Sequence, residues 1–298
     1  MLSLAAYTLL RPLRLSQLRH QPQVYLARSK HTDDLVVVKW LLYSVPKIEQ
    51  RLFFHEIAVL QHLSSCQNHT HTPTHWLPLI DTGHDFLLPF QPEQQQQKVH
   101  YMVVPYVATG SLYDVLTNQV DQLKDIKALF WQLLCAVESL HQCGWLHLDL
   151  KPSNILFNTK NKKPEVILID LALAQSTSRP NTQSPLNKIT QGTPKYMSPE
   201  QFLAQDLNHQ TDYYALGLIL YQLLTQQLPF CIRNEQGINS TQQWAIQHCQ
   251  QPVPLLPVPL ACFQSLIDGL LAKERQYRLQ TMQQIKDLTH QAFLSFNG

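Results

Sequence analysis

The chain has 298 residues, of which 44% are hydrophobic, and a formal net charge of +2 at pH 7. This hydrophobic fraction is ordinary for a folded protein with a buried core, so the composition excludes an intrinsically disordered chain. The small net charge gives no electrostatic reason to expect a nucleic acid partner or a membrane surface. No apolar run approaches the roughly 18 residues that a membrane span needs, so we expect no membrane span.

The N-terminal segment resembles an organellar targeting peptide in one respect, since its first 19 residues contain three arginines and no acidic residue. Against targeting, Met1 is followed by apolar residues and Pro12 interrupts any helix. We therefore expect the first strand of the fold here.

The first third of the chain reads as strands around one helix. The segments 24–28, 34–43 and 99–107 are rich in β-branched and aromatic residues, which predicts strands. Between the second and third of these runs, apolar residues recur with helical spacing and predict an amphipathic helix, namely Ile48, Leu52, Phe53, Ile57 and Leu60.

The rest of the chain has a helical pattern. Apolar residues from Leu123 to Leu140 predict a long amphipathic helix that stops before Gly144. Residues 213–228 are apolar on nearly every face, which predicts a buried helix, and further helices are expected at 261–273 and 281–294. These elements predict an α+β fold with two lobes, a β-rich N-lobe (about 1–104) and a larger helical C-lobe (about 110–298), joined by a hinge at 105–109.

Two polar stretches are predicted to be surface loops. Residues 91–98 are glutamine-rich, and residues 68–75 contain His69, His71 and His75. Metal binding by these histidines is the alternative, but no cysteine or carboxylate lies near them in sequence, and we favour a loop.

Six cysteines are spread along the chain without a C-x-x-C pair: Cys66, Cys135, Cys143, Cys231, Cys249 and Cys262. This spacing favours neither a zinc site nor a disulfide framework. We therefore expect a reducing compartment and place the protein in the cytoplasm.

The stretch HLDLKPSNILF (147–157) carries the clearest chemistry. Phosphoryl transfer from a nucleotide needs a carboxylate to orient the attacking hydroxyl, a cation on the transferred group and oxygen ligands for Mg²⁺. Asp149, Lys151 and Asn154 supply one of each. A polar loop with chance residues is the alternative, and these three residues alone leave it open.

Two further regions strengthen the first interpretation. The apolar run VILID ends in Asp170, a carboxylate suited to binding Mg²⁺. The run LVVVK puts Lys39 on a predicted strand, and Glu56 on the following helix is its natural ion-pair partner for holding a nucleotide phosphate.

In this order, the residues resemble the catalytic domain of eukaryotic-like (Hanks-type) protein kinases of the Ser/Thr branch. Further motifs of the resemblance are GTPKYMSPE (192–200), which looks like many bacterial members, Asp212 as the anchor of the catalytic loop, and Arg278 as the partner of Glu200. The resemblance implies ATP with Mg²⁺ or Mn²⁺ as cofactors and proteins as substrates. It implies Asp149, Lys151 and Asn154 as catalytic residues, and Asn154 and Asp170 as metal ligands.

The same resemblance assigns a nucleotide pocket to particular residues. Lys39 and Glu56 match the phosphate-binding pair, and Val104 matches the gatekeeper before a hinge that includes Tyr106 and Val107. The nucleotide-binding residues are Lys39, Glu56, Val24, Val37, Val104, Tyr106, Val107, Ser111 and Leu156.

The nucleotide lid departs from the family pattern. The lid is normally a Gly-rich loop whose backbone N–H groups approach the phosphates closely. Here its glycine positions hold Gln17, Arg19 and Pro22, and the first glycine of the chain is Gly83. The loss of close backbone contacts predicts weaker nucleotide binding.

Leu148 is the second departure, because it replaces the arginine that normally precedes the catalytic aspartate and pairs with an activation-segment phosphate. We therefore expect a kinase that is not switched by such a phosphate, and a separate regulatory partner as the source of any signal.

Two alternatives to an active protein kinase stay open at this stage. The glycine-free lid favours a pseudokinase, a scaffold that binds nucleotide weakly without turnover. An atypical transferase that moves another part of ATP is the other alternative.

Overall fold

The computed structural model describes residues 3–14, 22–67, 75–87, 96–117, 126–158, 165–178, 192–232 and 239–296. Several sequence predictions lie outside these residues, namely the lid positions Gln17 and Arg19 and the parts of the predicted loops at 68–74 and 91–95. The chain divides into two compact units, residues 1–108 and 109–298.

The N-terminal unit is built on one antiparallel sheet with the strand order β1-β2-β3-β5-β4. Its strands are β1 (Tyr7–Arg14), β2 (Gln23–Ser29), β3 (Leu35–Leu42), β4 (Asp81–Leu87) and β5 (Gln97–Pro105). The predicted strands at 24–28, 34–43 and 99–107 are confirmed as β2, β3 and β5, and the expected first strand is confirmed as β1.

The two faces of this sheet differ in burial. Along β3 the buried side chains of Val36, Val38 and Trp40 alternate with the half-buried Val37 and Lys39, as expected for successive side chains of a strand. These three residues join a hydrophobic cluster with Leu4, Tyr7, Leu9, Ala27, Leu87, Val99 and Val103. The opposite face of β3 is therefore left for Val37 and Lys39.

Helix α1 (Lys47–Gln67) connects β3 to the rest of the N-terminal unit. Its buried side chains include Phe53, Ile57 and Leu60, which confirms the stripe read from the sequence. Glu56 lies on this same helix and is itself buried.

The C-terminal unit is mainly helical. Its helices are α2 (Leu112–Thr117), α3 (Ile126–Gln142), α4 (Pro199–Phe202), α5 (His209–Thr225), α6 (Ser240–Gln250), α7 (Gln264–Leu271) and α8 (Met282–Ser295). Helix α3 ends as predicted, because Gly144 has a φ of 80° and its N–H donates to the carbonyl of His141 at 2.9 Å.

The predicted buried helix is α5, in which nearly all residues from Gln210 to Leu223 are buried. Gly217 explains how closely α5 packs against α7. A Cβ atom at this position would lie 2.7 Å from Cβ of Leu270 and 2.8 Å from Cδ2 of Leu271, closer than packed atoms tolerate.

Short strands in the C-terminal unit frame the loops that carry the chemistry. They are β6 (Trp145–Leu146), β7 (Ile155–Asn158), β8 (Glu165–Leu168) and β9 (Gln175–Ser176). Strand β6 pairs with β9, and β7 pairs with β8. Asp149 therefore lies between β6 and β7, and Asp170 follows β8.

The α+β prediction is confirmed, with a five-stranded sheet in one unit and mostly helices in the other. All six cysteines lie in described stretches and are free thiols. Among the described residues, no helix has both the length and the apolar character required to cross a membrane.

Candidate active site

Four of the predicted nucleotide-binding residues share one face of the N-terminal sheet. Val24 pairs directly with Lys39, and Val37 pairs directly with Val104. Directly paired residues of antiparallel strands point to the same side, and Val37 and Lys39 are two apart on β3. This face is the one opposite the buried core cluster.

Lys39 and Glu56 form the predicted ion pair. The Nζ atom of Lys39 lies 2.5 Å from Oε2 of Glu56, whose carboxylate is 6% exposed. The ionised, hydrogen-bonded pair fixes the lysine ammonium group above the sheet face. Helix α1 supplies the carboxylate, so the position of this helix sets the position of Lys39.

The other predicted nucleotide-binding residues lie in irregular segments. Tyr106 and Val107 follow β5 and are half-buried. In the C-terminal unit, Ser111 forms an isolated β-bridge with Leu156, and its backbone N–H donates to Oδ2 of Asp114 at 2.8 Å. The roles of these residues in binding adenine and ribose stay predictions.

The carboxylate of Asp149 accepts hydrogen bonds at both of its oxygens. Oδ2 accepts from Nζ of Lys151 at 2.5 Å and from Nδ2 of Asn154 at 3.1 Å. Oδ1 accepts from the backbone N–H and the hydroxyl group of Thr193, both at 2.9 Å. An ionised carboxylate has about four lone-pair sites, so these donors fix its orientation completely.

Lys151 and Thr193 also contact each other. Nζ of Lys151 donates to Oγ1 of Thr193 at 2.6 Å, and the threonine hydroxyl donates its own hydrogen bond to Asp149. All three side chains therefore form one hydrogen-bonded network. Asp149 and Lys151 are each 9% exposed, so water screens this network only weakly.

His147 connects Asp149 to the segment that carries Asp170. Its Nδ1 atom accepts from the backbone N–H of Asp149 at 3.3 Å, and Nε2 lies 3.1 Å from the carbonyl of Ile169. This pattern requires the tautomer with the proton on Nε2. Burial lowers the pKa of His147, which agrees with a neutral ring.

Asp212 of α5 holds the backbone immediately before Asp149. Oδ2 accepts from the N–H of His147 at 2.8 Å, and Oδ1 accepts from the N–H of Leu148 at 2.9 Å. His141 lies 2.8 Å from the same Oδ2 atom. Burial alone would raise the pKa of Asp212, but the hydrogen bonds from the His141 side chain and from the backbone N–H of His147 outweigh burial and lower this pKa. The anchoring role expected for Asp212 is confirmed in its geometry.

Asp170 has a left-handed backbone, with φ of 62° and ψ of 62°. This conformation is uncommon for residues other than glycine and is found more often for Asp and Asn. The turn Leu171–Leu173 follows, with Leu171 buried. The backbone N–H of Ile169 donates to the carbonyl of Asn154 at 3.0 Å, which ties the two predicted metal-binding segments together.

The donor set of Asn154 and Asp170 fits a hard cation. Asn154 makes its hydrogen bonds to Asp149 through Nδ2, which leaves the amide oxygen as a ligand atom. Amide and carboxylate oxygens are the ligands that Mg²⁺ and Mn²⁺ prefer. Among the described residues, no group of three or more His, Cys, Asp and Glu side chains could hold a metal ion. His75, which the sequence predicts to lie in a surface loop, is buried.

The predicted pair of Glu200 and Arg278 lies deep in the C-terminal unit. Nη1 of Arg278 donates to Oε1 of Glu200 at 2.7 Å, and Nη2 donates to Oε2 at 3.1 Å. Their side chains are 1% and 0% exposed. Burial alone would raise the pKa of Glu200, but the hydrogen bonds and charge of Arg278 outweigh burial and lower it.

Three functional contacts were missed by the list of site residues drawn from the sequence. Thr193 binds Asp149, His141 binds Asp212, and Gln201 donates to the carbonyl of Leu148 at 2.9 Å. The stretch GTPKYMSPE (192–200), which begins Gly-Thr-Pro, already pointed to Thr193. No local pattern pointed to His141 or Gln201, because each acts on a residue more than 50 positions away.

Comparison with known proteins agrees with this geometry. The model of the protein kinase domain family matches residues 20–293. Serine/threonine-protein kinase pkn3 of Myxococcus xanthus is 29% identical over 213 residues, which cover 70% of this chain and 36% of that protein. Serine/threonine-protein kinase PknD of Chlamydia felis is 30% identical over 212 residues, 63% of this chain and 22% of that protein.

A mammalian relative gives the same result. Ribosomal protein S6 kinase alpha-4 of Mus musculus is 27% identical over 225 residues, covering 74% of this chain and 28% of that protein. The matches thus span only about a fifth to a third of the length of these relatives. The family match over nearly the whole chain shows that it belongs to the protein kinase family as a Hanks-type kinase domain.

Proposed function

We propose that this protein transfers the γ-phosphoryl group of ATP to serine or threonine hydroxyl groups of other proteins. The observation that carries the proposal is the network of Asp149, Lys151 and Thr193, with Asn154 donating to the same carboxylate. Such an arrangement suits positioning and electrostatic stabilisation, which account for most of the catalysis of phosphoryl transfer.

In the proposed reaction, the substrate hydroxyl oxygen bonds to the γ-phosphorus while the bond from phosphorus to the β,γ-bridging oxygen breaks, and ADP leaves. Asp149 orients the hydroxyl group and accepts its proton. Since four donors already surround this carboxylate, the substrate hydroxyl must displace one of them. The hydroxyl of Thr193 is the donor that can rotate away at least cost, because its oxygen stays bonded to Lys151.

Lys151 then neutralises charge on the transferred group, as its ammonium group lies beside Asp149. Asn154 and Asp170 would hold Mg²⁺ or Mn²⁺. When bound, the ion would neutralise negative charge on the phosphate groups. We assign phosphate binding to Lys39, held by Glu56, and adenine and ribose binding to the predicted residues Val24, Val37, Val104, Tyr106, Val107, Ser111 and Leu156.

Incubation of the purified chain with Mg²⁺ and ATP labelled on the γ-phosphate tests this function. We expect label on serine and threonine of a generic basic protein, and none when EDTA is added. A parallel reaction with ATP labelled on the α-phosphate tests the atypical transferase, which would attach that label instead. Nucleotide-induced thermal stabilisation without any label on protein would support the pseudokinase and contradict the proposal.

Activation without a loop phosphate is a further expected property. Leu148 is apolar and 6% exposed, so it offers no cation to a phosphate on Ser176, Thr177 or Ser178. We expect phosphatase treatment to change kcat less than tenfold. The measurement compares treated and untreated protein after removal of the phosphatase, with mass spectrometry to confirm dephosphorylation. A larger loss would show that a phosphate orders the site by another contact.

The proposed setting is a reducing compartment such as the cytoplasm, which the free state of all six cysteines supports. A separate regulatory partner is also part of the proposal, because Leu148 removes the usual means of switching by phosphorylation.

A further inference from the structure

Leu148 is held in an unusual backbone conformation by contacts at both of its polar backbone groups. Its φ is 64°, and its side chain is buried. Residues with a branched side chain rarely adopt this left-handed conformation, and such outliers persist only where the surroundings enforce them. Its N–H donates to Oδ1 of Asp212 at 2.9 Å, and its carbonyl accepts from Nε2 of Gln201 at 2.9 Å.

Gln201 uses both ends of its amide group. It lies in helix α4 and is 8% exposed. Its Oε1 atom accepts from the backbone N–H of Ser198 at 2.9 Å and completes a capping box, while Nε2 reaches Leu148. The side chain therefore joins the start of α4 to the residue immediately before Asp149.

A second connection between the same two segments closes a loop of contacts. Thr193 precedes α4 in the chain and donates to Asp149 from both its N–H and its hydroxyl group. The segment from Thr193 to Gln201 thus holds Asp149 directly and holds Leu148 through its carbonyl. Each of these contacts joins protein atoms of the described residues.

We propose that Gln201 is a positioning residue that fixes the catalytic loop through the carbonyl of Leu148 and so replaces the phosphate-dependent ordering that Leu148 precludes. The inference rests on the proposed kinase activity. Gln201 acts through Leu148 on Asp149 and needs no contact with the substrate.

The substitution Gln201→Glu separates positioning from helix capping. A glutamate keeps an acceptor oxygen for the N–H of Ser198, since Gln and Glu both complete a capping box. It replaces the donor Nε2 by an oxygen that faces the carbonyl of Leu148. We expect kcat at pH 8 to fall by about 10²-fold, the scale of a displacement of about 1 Å in an active site, with KM for ATP and for peptide within threefold.

A pH profile gives the sharper readout. Burial raises the pKa of a carboxyl group at this position, and a protonated carboxyl group can again donate to the carbonyl of Leu148. The charged groups of the surrounding network are Glu200 with its partner Arg278, Asp212 on the other side of Leu148, and Asp149 with its partner Lys151. The three carboxylates push the pKa in the same direction as burial, and the two cations oppose them. The kcat of Gln201→Glu relative to the unchanged protein should therefore rise as pH falls from 8.5 to 6.

The matched control is Gln210→Glu. Gln210 is also buried, and its Nε2 atom also donates to a backbone carbonyl, that of Arg275 at 2.8 Å. We expect kcat of this variant to stay within threefold of the unchanged protein at every pH, whatever the change in Tm. A second variant, Gln201→Met, removes the donor without adding a titrating group, and should lose kcat without the recovery at low pH.

Hydrogen exchange of the peptide that covers residues 147–150 tests the same inference without turnover. Exchange should be faster in both Gln201 variants than in Gln210→Glu. If the protein without substitutions transfers no phosphate, the proposed function is refuted, and the hydrogen exchange of residues 147–150 alone decides the inference. Variants of Gln201 with unchanged kcat and unchanged exchange would refute the inference itself. If the Gln201→Glu protein is insoluble, the kcat and the hydrogen exchange of Gln201→Met decide the inference.

Discussion

Replacing Asp149 by asparagine is expected to lower kcat by about 10³-fold, within the range that general acid–base catalysis contributes. The hydrogen-bonding pattern explains why an isosteric change is so damaging. Every neighbour of this side chain is a donor, namely Lys151 and Asn154 at Oδ2 and Thr193 at Oδ1. An asparagine places its NH₂ group against one of these sets, so it loses the proton acceptor and also disrupts the network.

Steady-state kinetics of Asp149→Asn with saturating ATP and a peptide substrate measure this effect, with Asp206→Asn as control. Asp206 lies on the surface and its side chain is exposed. We expect nucleotide-induced thermal stabilisation to be retained in both variants. A kcat of Asp149→Asn within tenfold of the unchanged protein would show that another group orients the attacking hydroxyl.

The central strands of the N-terminal sheet could be predicted because their composition matches a half-buried sheet. β2, β3 and β5 carry runs of valine and aromatic residues. β4 has the sequence DTGHDFL, whose side chains are mostly exposed or half-buried. Strand β4 forms because its backbone pairs with that of β5, and the local sequence of β4 does not indicate this pairing.

Helix boundaries in the C-terminal unit show the limits of periodicity. The predicted helix at 261–273 is wrong in its first part, since residues Val258–Phe263 form a 3₁₀ helix and α7 begins at Gln264. Helix α6 was missed because its sequence is mostly polar, and its buried residues include only Gln243, Trp244 and His248.

The candidate site likewise has residues that the sequence predicted and supporting residues that it did not. Asp149, Lys151 and Asn154 lie within one short loop, so their spacing alone indicated shared chemistry. The supports of that loop come from distant segments, as Asp212 and Gln201 do when they bind Leu148. Tertiary packing decides which polar side chain reaches a given backbone group, and sequence spacing carries no record of it.

Replacing Arg278 by methionine is expected to destabilise the C-terminal unit by about 3–5 kcal/mol at pH 7, the cost of removing one partner of a buried ion pair. The guanidinium group also donates from Nη1 to the carbonyl of Gln210 at 2.7 Å and from Nε to the carbonyl of Ala272 at 3.1 Å. The substitution leaves Glu200 as a buried carboxylate whose remaining side-chain donor is the hydroxyl of Thr211. Urea unfolding followed by tryptophan fluorescence measures the loss.

The pH dependence of this loss identifies its electrostatic origin. The pKa of Glu200 is lowered in the folded protein, so its contribution to stability is present above the unfolded-state pKa and fades as pH falls through the folded-state pKa. In Arg278→Met, burial without the cation raises that pKa, and acid removes the buried charge.

The difference between the two proteins should therefore shrink from pH 7 to pH 4. The control Arg28→Met removes the exposed ion pair with Asp33, whose side chains are 45% and 82% exposed, and should cost less than about 1 kcal/mol. A loss in Arg278→Met that is equally small, or that does not change with pH, would mean that the ion pair of Arg278 and Glu200 contributes little to the stability of the C-terminal unit.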